Sequence, residues 1–288
     1  MLKNYVQTAA RNLKRHKGYA FINLTGLAVG MACFLLIVLF VQDERSYDQF
    51  HEKADRIYRV TWNIAEFGKT AAVPASMLPR FKEDFAEVEA ATHLFRRRTV
   101  VRHRAALVEE TRFFYADEAV FDVFTFPFLA GNPKTALVEP NTVVLTASTA
   151  RRYFGDQDPL GQTLTLNDEA DLRVTGVVQD VPGNAHFTFD ALVSLITLTG
   201  VEGLSKHDQA LGFQGWQYLV LTGPDGAAAV EARLDEITSG GHEAMATYFG
   251  WSFENASFDL QPLTRIHLHS NLSGEIEPNS DVRYLYIF

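Results

Sequence analysis

His267 and His269, two positions apart in IHLHS, come closest to metal chemistry in type and spacing. On an extended stretch they would share one strand face. A four-coordinate metal site needs more donors. The sequence offers no third ligand for them, so they are not read as a metal site. Asp156 and Asp158 in GDQDPLG hint at calcium, but the loop lacks the later acidic ligand, and its Pro and Gly make a plain turn. There is no GxxxxGK[ST], so ATP is not bound through a P-loop. HExxH, GxSxG and CxxC are also absent, and no carboxylate pair stands out for acid/base work among 35 acidic residues. No catalytic, cofactor or metal residue is assigned, and the chain is not read as an enzyme.

A second group carries charge rather than a reaction. Arg96, Arg97, Arg98, Arg102 and Arg104, with His103, form a basic knot on an acidic chain. Such a knot can dock on lipid headgroups or an acidic partner. The plainer reading, a solvated strand or hairpin paired with Asp/Glu elsewhere, is preferred.

The element that must position everything else is Phe21–Gln42, FINLTGLAVGMACFLLIVLFVQ. No charged residue lies between Lys17 and Asp43. About 20 apolar residues cross ~30 Å of hydrocarbon at 1.5 Å per residue. A cleaved signal peptide would have a shorter apolar region with an A-x-A-like site behind it. A lipoprotein signal ending at Cys33 would not need the apolar run Phe34–Leu39 that follows. The segment therefore reads as a permanent span. Lys3, Arg11, Lys14, Arg15 and Lys17 precede it, with no Asp or Glu in the first 42 residues, whereas Asp43 and Glu44 follow. The Lys/Arg excess places the N-terminus inside and the rest outside. Gly26 and Gly30 form GxxxG, a spacing that lets another helix approach closely. Leu2, Tyr5, Val6, Ala9 and Leu13 recur at helical spacing opposite Lys3, Gln7, Arg11 and Lys14. Residues 1–20 thus read as an amphipathic basic helix lying on membrane lipid, with its elbow at Gly18.

The five basic residues of this tail leave 21 Lys/Arg against 35 Asp/Glu in the remainder, a net charge of −14. That argues against nucleic acid as a partner. Hydrophobic content of 47% and aromatic content of 12% support a packed core. The single cysteine, Cys33, lies in the span and allows no disulfide framework.

Beyond the span, Arg56–Ala65 alternates as a half-buried strand. Pro74 suits the first turn of a helix carrying Met77, Leu78, Phe81 and Phe85 on one face. Thr92–Arg104 and Ala105–Tyr115 read as two further strands, and Asp117–Phe128 as a Phe-rich helical turn. Thr142–Leu145 is a strand, after which Thr146 caps a helix over Ala147–Phe154. Thr163–Leu166 and Asp171–Val178 are strands, as is Trp216–Leu221. Asp225 starts a helix over 224–238 with Val230, Leu234 and Ile237 inward, and Phe258–Leu263 closes with a strand. Two strand–helix–strand units around an inserted strand-rich piece make a ferredoxin-like α+β layer. Asp281–Phe288 turns apolar and aromatic, as at the start of a second span. The chain is therefore read as the front part of a longer polypeptide.

Taken together, these stretches resemble the MacB/FtsX-type ABC transporter permeases, in the large-permease form common in Bacteroidetes and their relatives. The resemblance rests on RNLK at 11–14, INLTGLAVG at 22–30, DERSYDQFH at 43–51 and DRIYRV at 55–60. It continues in FFYADEAVFDVFTFPFLAGNPKTAL, VVLTASTARRYFGDQDPLGQTLTL and VTGVVQDVPGNAHFTFDAL, and covers essentially the whole chain. It implies an α+β fold with a transmembrane helix over 21–42 and a periplasmic core over 43–280. In that core a ferredoxin-like porter lobe, about 43–125 and 205–270, holds an inserted strand-rich sabre lobe, about 126–204. Residues 281–288 would begin a second transmembrane helix.

The resemblance further implies a bacterial inner-membrane permease subunit that does not itself hydrolyse ATP. It would pair with a separate ABC ATPase subunit, form a homodimer or a pseudo-dimer of permease halves, and transmit motion outward for export or extraction. Because the chain stops before the remaining spans, it is not expected to transport alone. The competing expectation is a membrane-anchored extracytoplasmic sensor, which shares the basic tail, span and outer α/β domain.

Overall fold

The computed structural model describes residues 4, 5, 11, 13–64, 68–74, 78–103, 106–168, 170–199, 215–223, 226–234 and 257–287. The chain divides into two units, 1–46 with 283–288, and 47–282.

In the first unit the apolar run is one helix, Lys17–Arg45, of 29 residues. At 1.5 Å per residue it is about 44 Å long, enough to cross hydrocarbon. None of its residues is buried. It therefore presents apolar side chains all round, as a span in lipid does. Residues 13–15 are helical, and the break before the long helix falls at His16 (φ −119°, ψ 54°) rather than at Gly18. Gly18 continues the helix because a Gly without φ > 0 costs only propensity there. At the other end Ser46 caps the helix, its N–H and Oγ both donating to the Asp43 carbonyl at 2.9 and 2.7 Å.

In the second unit, thirteen described strands form one sheet. Four of them make the layer expected from the two strand–helix–strand units: β1 (Ile57–Ile64), β3 (Val88–Arg96), β12 (Trp216–Leu221) and β13 (Ser257–Pro262). Their order is β13-β1-β12-β3, with antiparallel neighbours. That is the ferredoxin-like arrangement. The helices Leu78–Asp84 and 226–234 cover one face, with Phe81, Phe85, Val230 and Leu234 against Val60, Trp62, Leu219 and Leu221. Alternate residues of β12, Trp216, Tyr218 and Val220, point into a second core on the opposite face. All six β12 positions are buried because both faces of the sheet are covered.

That second core is aromatic. Phe124, Phe126, Phe187 and Phe189 gather there, with Phe124 edge-on to Tyr218 at 4.9 Å and to Phe187 at 5.5 Å. Phe124 and Phe126 come from the Phe-rich stretch, whose helix is confined to Val120–Val123. Asp117 fixes its start by accepting from the backbone N–H of His93 and of Ala119, both at 2.9 Å.

The strand-rich part has a third core. From β3 the sheet continues through β6 (Phe113–Ala116), β11 (Ala191–Ser194), β8 (Thr142–Thr146), β10 (Ala170–Val178) and β9 (Thr163–Leu166) to the hairpin β4 (Thr99–His103) and β5 (Ala106–Glu110). Val101 of β4 and Phe113 of β6 stand far apart in that order yet share one core with Tyr153 and Phe154. The sheet must therefore curl around the helix Ala147–Phe154. Thr146 caps this helix by accepting from Thr149 N–H. Two short strands lie off the path: β2 (Gly68–Thr70) pairs with β1 and β7 (Phe128–Gly131) with β10.

Several sequence expectations change. The strand read over Thr92–Arg104 is two strands, broken at Arg97–Arg98, and Ala105–Tyr115 is likewise broken at Thr111–Arg112. The breaks let the β4–β5 hairpin leave β3 and β6, which pair with each other directly. Pro74 lies before the helix Leu78–Asp84, and its carbonyl accepts from Gln217 Nε2. His267 and His269 are not on a strand. They lie on a helical turn, Ile266–His269, that follows the last strand. Leu2, Lys3, Val6, Gln7, Ala9, Met77, Arg104, Asp225, Ile237 and Phe288 lie outside the described residues.

Candidate functional site

The second unit begins at Tyr47, and its first residues are bonded into the rest of that unit. Asp48 takes a left-handed conformation (φ 61°) and is fully buried. A short polar side chain tolerates that conformation because it can bond locally. Asp48 N–H donates to the Asn184 carbonyl at 2.9 Å. Its Oδ1 accepts from His186 N–H at 3.1 Å and contacts His186 Nδ1 at 2.8 Å. His186 Nε2 lies 2.7 Å from the Tyr218 hydroxyl on β12. With a proton on Nδ1 the imidazole donates to Asp48 Oδ1 and accepts from Tyr218, so both ring nitrogens are bonded, whereas Asp48 Oδ2 is buried without a hydrogen bond. Burial pushes the Tyr218 phenol well above its ordinary range, so it keeps the proton it donates.

His51 and Lys53 extend the attachment. His51 Nδ1 accepts the Thr125 backbone N–H at 3.0 Å, and Glu52 N–H donates to Thr125 Oγ1 at 2.9 Å. Burial lowers the His51 pKa to about 4, with the neighbouring His186 adding to the effect against Asp48. A neutral ring is what the Thr125 bond requires, since protonation at Nδ1 would remove the acceptor. Lys53 and Arg56 both reach Glu89, at 2.8 and 2.6 Å.

The opposite end of the unit is tied to the same strands. Arg59 on β1 is fully buried. It binds Glu275 through Nη1 and Nη2, at 2.6 and 3.0 Å, and Gln261 and Ser270 at 2.7 and 3.0 Å. Burial alone would raise the Glu275 pKa, but the Arg59 guanidinium holds it below the usual carboxylate range. Tyr47 stacks on His267, ring centroids 3.3 Å apart and planes at 4°. The first and last stretches of the unit, 47–59 and 259–282, therefore meet in one buried polar knot. Asp, His and Tyr in series could suggest a catalytic relay. All three are buried, and the bonds they make tie the backbone of 48, 184 and 186 to β12.

The sequence-predicted residues lie elsewhere. Gly26 and Gly30 are interior to Lys17–Arg45, and a Cβ built on either meets nothing within 4 Å. Arg11, Lys14, Arg15 and Lys17 are exposed. In the basic knot, Arg102 forks onto Asp168 through two 2.7 Å bonds and Arg98 reaches Glu109 at 3.2 Å, as in a paired, solvated hairpin. Asp158 closes its own turn by accepting from Leu160 N–H. Sequence reasoning missed Asp48, His186, Tyr218, Arg59 and Glu275. The only local signal was polar residues beside a strand start, since their partners are distant in the chain.

A family model described as MacB-like periplasmic core domain matches residues 20–237. Among solved structures, a domain of a Porphyromonas gingivalis protein described as a permease is similar, with 21% identity and a TM-score of 0.60 over 79% of this chain and 100% of that one. The periplasmic region of MacB from Actinobacillus actinomycetemcomitans is similar at 15% identity and a TM-score of 0.51, over 74% of this chain and 91% of that one. No curated protein matches the chain. At these identities the structural likenesses speak for the fold, and the family match covers most of the chain.

Proposed function

Since the chain belongs to the MacB-like periplasmic core domain family of ABC transporter permeases, we propose that it couples ATP hydrolysis by a separate ABC ATPase subunit to motion of its sheet domain, for export or extraction of a substrate. In this reading the N-terminus is cytoplasmic, the helix Lys17–Arg45 spans the bacterial inner membrane, and residues 47–282 lie in the periplasm. The chain contributes no catalysis of its own. The working assembly is a homodimer or a pseudo-dimer of permease halves, with Gly26 and Gly30 as a helix-packing face. Lys3, Arg11, Lys14, Arg15 and Lys17 lie against membrane lipid, and 281–288 opens a second span.

The observation that carries the reading is the knot at Asp48. Mechanical coupling needs a stiff rod and an outer domain whose first residues do not yield. The 29-residue helix is long enough to be such a rod, and within the outer domain Asp48 is bonded to the backbone and side chain of a distant loop. The porter and sabre division, about 43–125 with 205–270 and 126–204, is part of the same proposal. The separate cores of the ferredoxin-like layer and of the curled strands support it, although Val101, Phe113 and Tyr115, within 43–125, pack in the core of the curled strands.

The test uses the full-length permease copurified with its ATPase in lipid. Gly26→Leu with Gly30→Leu is expected to leave ATP turnover in place while abolishing the nucleotide-dependent change in distance between probes on the outer domain. Normal coupling in that double variant would sink the helix-packing part. Failure of the permease to associate with any ABC ATPase would sink the coupling itself.

A further inference from the structure

Arg96, at the end of β3, is bound differently from the other described arginines of its knot. Its guanidinium lies 5.7 Å from the Trp216 ring centroid and 5.8 Å from that of Phe114. Nη1 donates to the Ile276 carbonyl at 3.0 Å. Among the described residues it has no carboxylate partner. Two ring faces and one backbone bond therefore hold an uncompensated, permanently charged fork in a fixed place.

The fork opens on a cleft of about 490 Å³, within the size range of small-ligand sites. Arg98, Thr111, Arg112, Ile276 and Glu277 line the rest of it. Arg112 is already matched by Asp190, at 2.7 and 3.3 Å. Arg98 is largely exposed and among the described residues meets the exposed Glu109. Glu277 is also held in the lining, its Oε1 accepting from Thr188 N–H and Oγ1 at 2.8 and 2.7 Å. The walls thus offer a preorganised cation and a movable one, with a fixed carboxylate nearby.

We propose that this cleft binds a carboxylate-bearing ligand of peptide chemistry. Arg96 and Arg98 would take the terminal carboxylate, and Glu277 would accept from the N–H donors behind it. A planar guanidinium matches a carboxylate in bidentate fashion. A ligand carrying only negative charge would be repelled by Glu277, whereas a peptide end offers a partner to the arginines and to the carboxylate. The site is independent of how the domain is driven, so it stands or falls separately from coupling to an ATPase.

The test is calorimetric titration of the full chain in detergent micelles with trialanine and with its C-terminal amide, at fixed ionic strength. Trialanine is expected to bind at least about tenfold more tightly than the amide, since a hydrogen bond to a charged group is worth that much or more. Arg96→Gln, and independently the exposed Arg98→Gln, should remove most of that difference. Arg102→Gln, on the hairpin and paired with Asp168, should leave it intact. Equal binding of acid and amide, wild-type discrimination in Arg96→Gln and Arg98→Gln, or an equal loss in Arg102→Gln would each overturn the proposal. Circular dichroism and the urea midpoint establish that each variant is folded.

Discussion

His51 ought to make the outer unit acid-sensitive, and the size of the effect follows from its surroundings. In the folded chain burial keeps the ring neutral down to about pH 4, while in the unfolded chain it titrates near 6.5. Between those values the unfolded chain holds a proton that the folded chain refuses. The contribution of His51 is therefore fully present above pH 6.5 and is lost as pH falls through 4. Integrated from pH 7 to pH 4.5, the loss is about 2 kcal/mol. Replacement by Asn removes the titration and keeps an oxygen that can accept the Thr125 N–H, at the cost of a constant packing offset. Asp117 acts in the opposite sense, because burial raises its pKa to about 6 and folding therefore favours its protonated form below that pH. It is present in both proteins and cancels in their difference. The assay is urea unfolding of the full chain in micelles, followed by tryptophan fluorescence from pH 7 to 4.5. The stability gap between wild type and His51→Asn should close by about 2 kcal/mol, or reverse, on acidification. A gap that stays constant to within about 0.5 kcal/mol across that range would refute the argument that burial holds this ring neutral.

Three further outcomes are expected from the same unfolding measurement. Arg59→Met strips the cation from the mostly buried Glu275 and should cost about 3 kcal/mol. Gly131 has φ +91°, and a Cβ there would lie 2.4 Å from the Thr175 carbonyl oxygen, so Gly131→Ala should cost about 2–3 kcal/mol even though it adds one carbon. Thr146→Ala deletes the cap of Ala147–Phe154 and should cost about 1 kcal/mol, with circular dichroism otherwise unchanged.

What was legible in the sequence was local. Ala147–Phe154, Thr163–Leu166 and Trp216–Leu221 were readable to the residue because a capping threonine, an alternating run or a β-rich hexamer states its structure within a few positions. The breaks at Arg97–Arg98 and Thr111–Arg112 were not, because β-branched and charged residues continue through them without Gly or Pro. Tertiary pairing splits those runs: β3 binds β12 and β6, whereas β4 binds β9 and β5. IHLHS reads as extended by alternation, but no described strand pairs with it and its backbone closes on itself instead. The knot was invisible for the same reason. Asp48, His186 and Tyr218 are ordinary residues in ordinary local settings, and only the folded sheet brings them into series.

The Asp48–His186–Tyr218 series also sets a clock on biosynthesis. His186 follows Asp48 by 138 residues, and Tyr218 comes 32 later. At the usual ~5–20 residues per second, roughly 10–30 s separate the synthesis of the aspartate from that of its last partner. Through that interval Asp48 is made but cannot be locked, and the stretch next to the apolar helix waits on a strand that does not yet exist. The knot closes only on a chain extended at least to β12. Its closure therefore marks the difference between a nascent domain whose first residues are loose and one whose first residues are locked to its own sheet.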